Sequence, residues 1–242
     1  MTWRNADADW DRWPVEVYLA ENYREVHACD AAVIAHHSAF YRRLAPGSVA
    51  RSLEFGAGPN LYPLMLATAA SRRIDAVDRS AANVAYLRRQ RHHPDESWQP
   101  FYARCRELNA GLPPTLLKAL ARVRVRRGDL RDVPAGGYQL ASMHFVAESI
   151  SDDLAEVAMF CRAFAGAVGP GGYLVAAFME NMARYTLGDG SQWPGCPVVG
   201  TEIHDILAPY TDELVIDRID ADPTLPAYGY TGMILLTARR PT

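Results

Sequence analysis

Apolar residues along the chain fall in short, separated runs. Seven of them have strand length and are continuously apolar or alternating: "SLEF" (52–55), "IDAVD" (74–78), "VRVRRGD" (123–129), "YQLASMHF" (138–145), "GYLVAAFM" (172–179), "ELVIDRI" (213–219) and "MILLTAR" (233–239). Helix-length segments separate most of them, which predicts an α/β fold of parallel strands joined by crossover helices. The last two runs lie close together and predict an antiparallel pair at a sheet edge. Helices are predicted over 14–45, 60–72, 80–93, 113–121, 152–168 and 201–209, with Ser80 capping the third and Asp152 the fifth. "VGPGG" (168–172) reads as a break before the fifth strand. No repeat or linker interrupts the pattern, so 1–242 reads as a single domain. Residues 1–45 form an N-terminal helical lid and 46–242 a Rossmann-like core. A polar, aromatic insertion at about 181–200 has the length of a binding loop.

Composition narrows the class. The chain has 242 residues, enough for a real core, and its 49% hydrophobic and 22% charged residues suit a soluble globular protein. A net charge of -3 gives no basic excess for nucleic acid, and no apolar run spans a bilayer. "RVRVRRGDLR" (122–131) is locally basic, but alternation puts its arginines on one strand face, which reads as solvated. The opening "MTWRNADADWDRW" is acidic and aromatic, unlike a signal peptide. Cys29, Cys105, Cys161 and Cys196 are scattered, with no C-x-x-C pair and no histidine at zinc spacing. They read as reduced thiols in a cytoplasmic protein without structural metal. His36-His37 and His92-His93 lack a carboxylate or cysteine at ligand spacing, so no metal site is expected.

The chemistry concentrates after the first strand. Gly56 and Gly58 lie between a predicted strand and a predicted helix, where glycine permits a sharp turn and close ligand approach. Asp78 ends the next strand, about twenty residues on, where a carboxylate can accept both ribose hydroxyls. This much fits NAD or S-adenosylmethionine (SAM). Three details favour SAM. Position 61 is Leu61, not the third glycine of a dinucleotide loop. Pro59 removes an N–H that a pyrophosphate would use. Glu54 stands two residues before Gly56, where an acid can face a methionine amino group. No Gly-Lys-Ser/Thr follows, which excludes a Walker loop. Asp129 and Leu130, at the end of the third strand, can contact the adenine amino group and ring plane. Arg79, beside Asp78, joins the same set.

Several stretches carry a resemblance. "VYLAENY" (17–23) resembles a Y-L-x-x-Y-Y element and "EFGAGPNLYPLMLA" a D-I-G-S-G-P-T-I-Y-Q-L-L loop. "AVDRSAANVAYLRR" resembles T-D-Y-S-x-x-N, "RRGDLRDV" a C-D-V segment, and "DDLAEVAMFCRAFAGAVGPGGYLV" a helix leading to K-P-G-G-x-L. All belong to the nicotinamide, phenylethanolamine and thioether (indolethylamine) N-methyltransferases, which the chain resembles from about residue 17 to its end. That family has the seven-stranded class I SAM-dependent methyltransferase fold. The resemblance implies Tyr18 and Tyr23 closing over the cofactor, with Gly56, Asn60, Asp78, Asn83, Asp129 and Leu130 around it. Tyrosine faces suit a sulfonium cation. The chain departs from the family at Glu54, where an Asp is usual. Where the nicotinamide enzyme holds a carboxamide with Asp and Ser, this chain has Phe178 and Met182. The expected substrate wall, of Phe145, Phe178, Met182 and Tyr185, is therefore apolar and suits an amine with a bulky apolar or aromatic part, or an indole.

Methyl transfer needs an aligned acceptor, exclusion of water and an outlet for a proton. The expected catalytic groups are Glu180, ending a strand whose C-terminal edge should face the pocket, Glu148 after the fourth strand, and His27, one helical turn from Tyr23. Tyr23 joins them. His144 reads as buried within its strand; Asp220, Asp222, Tyr228 and Tyr230 flank the final hairpin, where they read as turn chemistry ahead of the alternative, a rim for the pocket. The expectation is a methyltransferase for a small amine, indole or other aromatic acceptor. An arginine-rich, lysine-poor composition suggests a GC-rich genome and hence secondary metabolism. The reading leaves room for a homodimer. A SAM-consuming cyclase that releases methylthioadenosine and a non-catalytic SAM-binding protein are the alternatives.

Overall fold

The computed structural model describes residues 2–226 and 228–242. In chain order its elements are α1 (Val15–Asn22), α2 (Ala28–Tyr41), β1 (Ser52–Phe55), α3 (Tyr62–Ala67), β2 (Ile74–Asp78), α4 (Ala81–His92), α5 (Gln99–Leu108), α6 (Leu116–Leu120), β3 (Val123–Arg127), β4 (Tyr138–His144), α7 (Leu154–Ala167), β5 (Val168–Glu180), β6 (Tyr185–Thr186), β7 (Gln192–Trp193), α8 (Gly200–Leu207), β8 (Asp212–Asp220) and β9 (Gly232–Arg239). Seven strands make one sheet in the order β3-β2-β1-β4-β5-β9-β8, while β6 and β7 pair separately. β1 to β5 run parallel; β9 is antiparallel to both β5 and β8, and the β8–β9 pair is the one the sequence predicts.

The central strands are buried on both faces, which is why they read as continuous apolar runs rather than alternations. Period two still sorts their side chains. Leu53, Phe55, Phe178, Ile234 and Leu236 pack with α7 and α8 on one side. Ile74, Ala76, Val175 and Leu235 pack with α2, α3, α5 and α6 on the other. Strand order reverses between β1 and β4, and the crevice outside their C-terminal ends is where such sheets bind ligands.

The structure departs from the sequence reading at the leading helix. The predicted 14–45 helix breaks after Asn22 and restarts at Ala28. The Ala28 N–H, an unsatisfied donor of the new helix, is taken by Asp222 Oδ2 at 2.9 Å, from 194 residues away. α5 was not predicted. Its buried face is Phe101, Tyr102 and Cys105, and Pro100 sits in its first turn. β5 continues through "VGPGG", with a register shift opposite Tyr138. Ser80 caps α4, its Oγ accepting the Asn83 N–H at 3.2 Å. Asp153, not Asp152, caps α7 by accepting the Ala155 N–H at 3.0 Å. Asp152 is engaged elsewhere: its carboxylate accepts the Trp3 N–H at 2.6 Å and the Arg184 Nε–H at 2.8 Å.

Those bonds form part of a strap. Asn5 N donates to Glu156 at 3.0 Å, and Asp11 accepts Arg127 Nη2 at 2.8 Å and Ala81 N at 2.7 Å. The leading segment thus crosses the C-terminal edge of the sheet from α7 to α4. Trp10 stacks on Trp193 at 5.1 Å, and Trp13 meets the same ring edge-on at 4.7 Å, so the strap and the 181–200 insertion pack on each other. Among the described residues, no helix is long and apolar enough to cross a membrane.

Candidate active site

The loop after β1 turns in a way that excludes side chains. Gly56 has φ +71° and Gly58 φ +53°. A Cβ on Gly56 would lie 2.5 Å from Val146 Cγ1. Asp78 then fixes the loop: Oδ2 accepts the Gly58 N–H at 2.8 Å, and Oδ1 accepts the Ser80 N–H at 2.8 Å and Asn83 Nδ2 at 3.2 Å. Burial pushes the Asp78 pKa up, and these three donors pull against it.

Above the loop lies a cavity of about 1210 Å³, its open mouth included. One side of its wall holds Gly56, Gly58, Asn60, Asp78, Arg79 and Asn83, with Asp129 and Leu130 beyond. Asn60 Nδ2 and Asn83 Oδ1 are buried without a partner. Asp129 is clamped by Arg131 through two bonds of 2.8 Å, which hold its carboxyl below the usual carboxylate range, and Arg79 approaches it at 3.9 Å. The remaining polar groups suit a ligand with a sugar and a base.

The other side is aromatic. Tyr18 and Tyr23 face each other with ring centroids 5.6 Å apart and hydroxyls 3.4 Å apart, and Tyr23 is backed by Trp98 at 5.5 Å. Met182 and Tyr185 line the same wall, with Trp10 and Trp13 of the strap above. Phe145 also lines it and sits at φ +58°, a strained position for a residue with a side chain. Its N–H donates to Ala177 O at 2.7 Å, and its carbonyl accepts Ser149 Oγ at 2.5 Å, which holds the turn.

Five expected residues lie elsewhere. Glu54 is not among the residues that line the cavity: Ser142 Oγ donates to it, and its other oxygen lies 3.1 Å from His144 Nδ1. His144, read as merely buried, stands between Glu54 and the cavity and lines it. Glu180 is drawn to the outer strand, where Arg218 Nε donates at 2.8 Å and Thr231 Oγ1 at 2.7 Å. His27 occupies the N-cap position of α2 in extended conformation, so the break in the helix removes its one-turn relation to Tyr23. Phe178 is fully buried against α7 and α8; the neighbouring Met179, on the opposite face, is the one that reaches the cavity. Glu148 is fully buried behind the cavity, accepting the Met179 N–H at 2.8 Å.

Burial pushes Glu148 up to about 8 from an ordinary 4.5. Its folded form therefore keeps a proton that the unfolded chain releases above its own pKa. The contribution to stability is full below pH 4.5 and is lost as pH rises to about 8. The slope is about 1.4 kcal/mol per pH unit. Glu148→Gln, which keeps the Met179 bond, should match wild type in Tm near pH 5 and exceed it at pH 8. Equal Tm values for the two proteins across this range would contradict the buried-acid assignment.

The groups that close the cavity were partly seen in the sequence. Tyr228 and Tyr230, for which a pocket rim ranked behind turn chemistry, line it, and so do Asn22 and Asp30, which sequence reasoning missed. Glu21 joins three segments: its carboxylate accepts the Gly188 N–H at 2.6 Å and the Tyr228 hydroxyl at 2.5 Å, and the next residue, Asn22, donates to Tyr228 at 3.1 Å. The two tyrosines in "DADPTLPAYGY", flanking a glycine before a strand, were the available signal.

No protein-family model matches the chain, and no curated protein matches it in sequence. Solved structures match it in fold. A SAM-dependent methyltransferase from Methanosarcina mazei aligns with TM-score 0.57 and 11% identity, over 81% of this chain and 93% of its own. The N-methyltransferase NodS of Bradyrhizobium japonicum, in complex with S-adenosylhomocysteine (SAH), aligns with TM-score 0.51 and 14% identity, over 97% and 94%. The 1,6-didemethyltoxoflavin-N1-methyltransferase of Burkholderia thailandensis, with 1,6-didemethyltoxoflavin and SAH bound, aligns with TM-score 0.52 and 16% identity, over 88% and 80%. At these identities the likeness establishes the fold, the Rossmann-like α/β sheet of SAM-dependent methyltransferases.

Proposed function

We propose that this protein is a SAM-dependent methyltransferase acting on a small acceptor with an apolar or aromatic body, an amine or indole of secondary metabolism. The observation that carries the reading is one continuous cavity with two unlike halves. Its glycine-loop half offers Asp78 to a ribose and Asp129 and Leu130 to an adenine, and Tyr18 and Tyr23, across from it on the aromatic side, offer their rings to a sulfonium. Its aromatic half, with Phe145, Met179, Met182 and Tyr185, offers an apolar bed for the acceptor. An apolar bed separate from the cofactor half favours a second substrate over self-cyclisation of the cofactor.

SAM, when bound, supplies a methyl group activated by the positive sulfur. The chain's own work is placement and exclusion of water. Tyr18 and Tyr23 hold the cationic end, the Phe145 turn sets the acceptor side, and Trp10 and Trp13, locked on Trp193, roof the site. Two of the similar structures are N-methyltransferases by name, and the motif resemblance is to N-methyltransferases too. Both support nitrogen as the methylated atom.

The test is calorimetry with SAH, followed by incubation with SAM and a panel of arylalkylamines and indoles read by mass. The expected result is SAH binding and products heavier by one methylene unit. Binding of a nicotinamide dinucleotide without SAH binding would overturn the cofactor reading. Methylthioadenosine release without any acceptor would replace the methyltransferase with the cyclase.

A further inference from the structure

Among the described residues, the cavity wall holds one carboxylate with a buried oxygen left without a hydrogen-bond partner. Asp30, in the first turn of α2, is 3% exposed and lines the wall, and its Oδ2 has no hydrogen-bond partner. The other two acids on that wall are occupied, Asp78 by three loop donors and Asp129 by Arg131. Local contacts explain part of Asp30: the Tyr62 hydroxyl helps its charge, and so does the His27 N–H, as for any acid at that helix position. They do not explain the second oxygen. The Tyr230 hydroxyl, near this corner, is likewise buried and unpaired. Two unmet polar atoms in one corner of the cavity mark a ligand site.

Building on the methyltransferase reading, the geometry points to this corner, Asp30 with Tyr18, Tyr23 and Tyr230, as the seat of an ammonium head group on the acceptor. An isolated buried carboxylate is costly, and a cation beside it removes that cost. Burial pushes Asp30 up to about 7, and the charge of Asp222 pushes the same way. Among the described residues, no lysine or arginine acts on it. Tyrosine faces on the same wall add cation–π attraction, which a neutral indole or pyridine would not gain. The group is therefore an aliphatic amine carried on an apolar body. Its –NH3+ gives one proton to the carboxylate, leaving –NH2 with a free lone pair and Asp30 as a neutral acid, which returns the proton to solvent after product leaves.

The experiment uses benzylamine, phenethylamine and tryptamine, each paired with the alcohol of the same skeleton, titrated calorimetrically with and without SAH. In wild type, amines should bind about 10-fold or more tightly than their alcohols, a difference of about 1.4 kcal/mol. Asp30→Asn should erase that preference while SAH affinity stays unchanged, which also reports that the variant is folded; Asp30→Ala provides a second variant. Equal binding of amines and alcohols to wild type, no binding of any amine, or a preference that survives both substitutions overturns the proposal. Loss of SAH binding by wild type overturns the methyltransferase reading instead, because the titrations without SAH still report on Asp30.

Discussion

Asp78→Ala is expected to weaken SAH binding by about 100-fold or more, the largest effect of any single substitution on the cofactor side. The carboxylate has two tasks. It accepts three buried donors, from Gly58, Ser80 and Asn83, which set the loop after β1 and the start of α4. It also faces the cavity, where ribose hydroxyls would complete its coordination. Hydrogen bonds to a charged group contribute about 1.5–3 kcal/mol each, so two lost ribose bonds cost about 3–6 kcal/mol. The loop donors left without an acceptor add a stability loss of about 1–3 kcal/mol for each that water cannot reach. Calorimetry with SAH and thermal denaturation separate the two tasks. If the alanine variant bound SAH within about threefold of wild type, the sugar would not be gripped here, and the cofactor half of the cavity would need another ligand.

That carboxylate was legible because it ends a strand, and strand ends in a parallel sheet point at the ligand crevice regardless of tertiary detail. The same logic reached Asp129 and the glycines. It failed where position depended on partners far along the chain. Glu180 also ends a strand, but Arg218, 38 residues on, draws it to the sheet's outer edge. Phe178 and Met179 are adjacent and both apolar, so the pattern alone does not say which faces the cavity; β5 pairing with β4 and β9 decides it.

The leading segment shows the same limit more sharply. Nothing between Asn22 and Ala28 is proline or glycine, so the sequence offers no breaker. The break is made by distant groups: Asp222 accepts the first N–H of α2, and Tyr23 packs into Trp98, Phe101 and Tyr62. Continuous-helix geometry would have carried His27 to the site. The broken chain places His27 at a cap and turns Asp30 into the cavity. The residue that most narrows the acceptor thus became visible only with the fold.

Gly56→Ala tests whether the two halves of the cavity are mechanically joined. A side chain there meets two penalties. The left-handed φ of +71° costs an L-residue about 1–2 kcal/mol. The new Cβ would also sit 2.5 Å from Val146 Cγ1 and 3.0 Å from Cγ2, an overpacking of about 1–3 kcal/mol. Together they should lower Tm by about 4–20 °C in a chain of this size. Val146 follows Phe145 in its strained turn and lines the cavity, so relief of the clash moves the acceptor wall as well as the cofactor loop. Val146→Ala removes both γ-carbons. In the double variant most of the steric penalty should go, with Val146 Cβ left at 3.3 Å, while the φ penalty stays, giving a favourable coupling of about 1–3 kcal/mol in a double-mutant cycle and partial recovery of SAH affinity. Additive losses would mean that the backbone angle alone demands glycine, and that the loop after β1 and the turn after β4 respond independently.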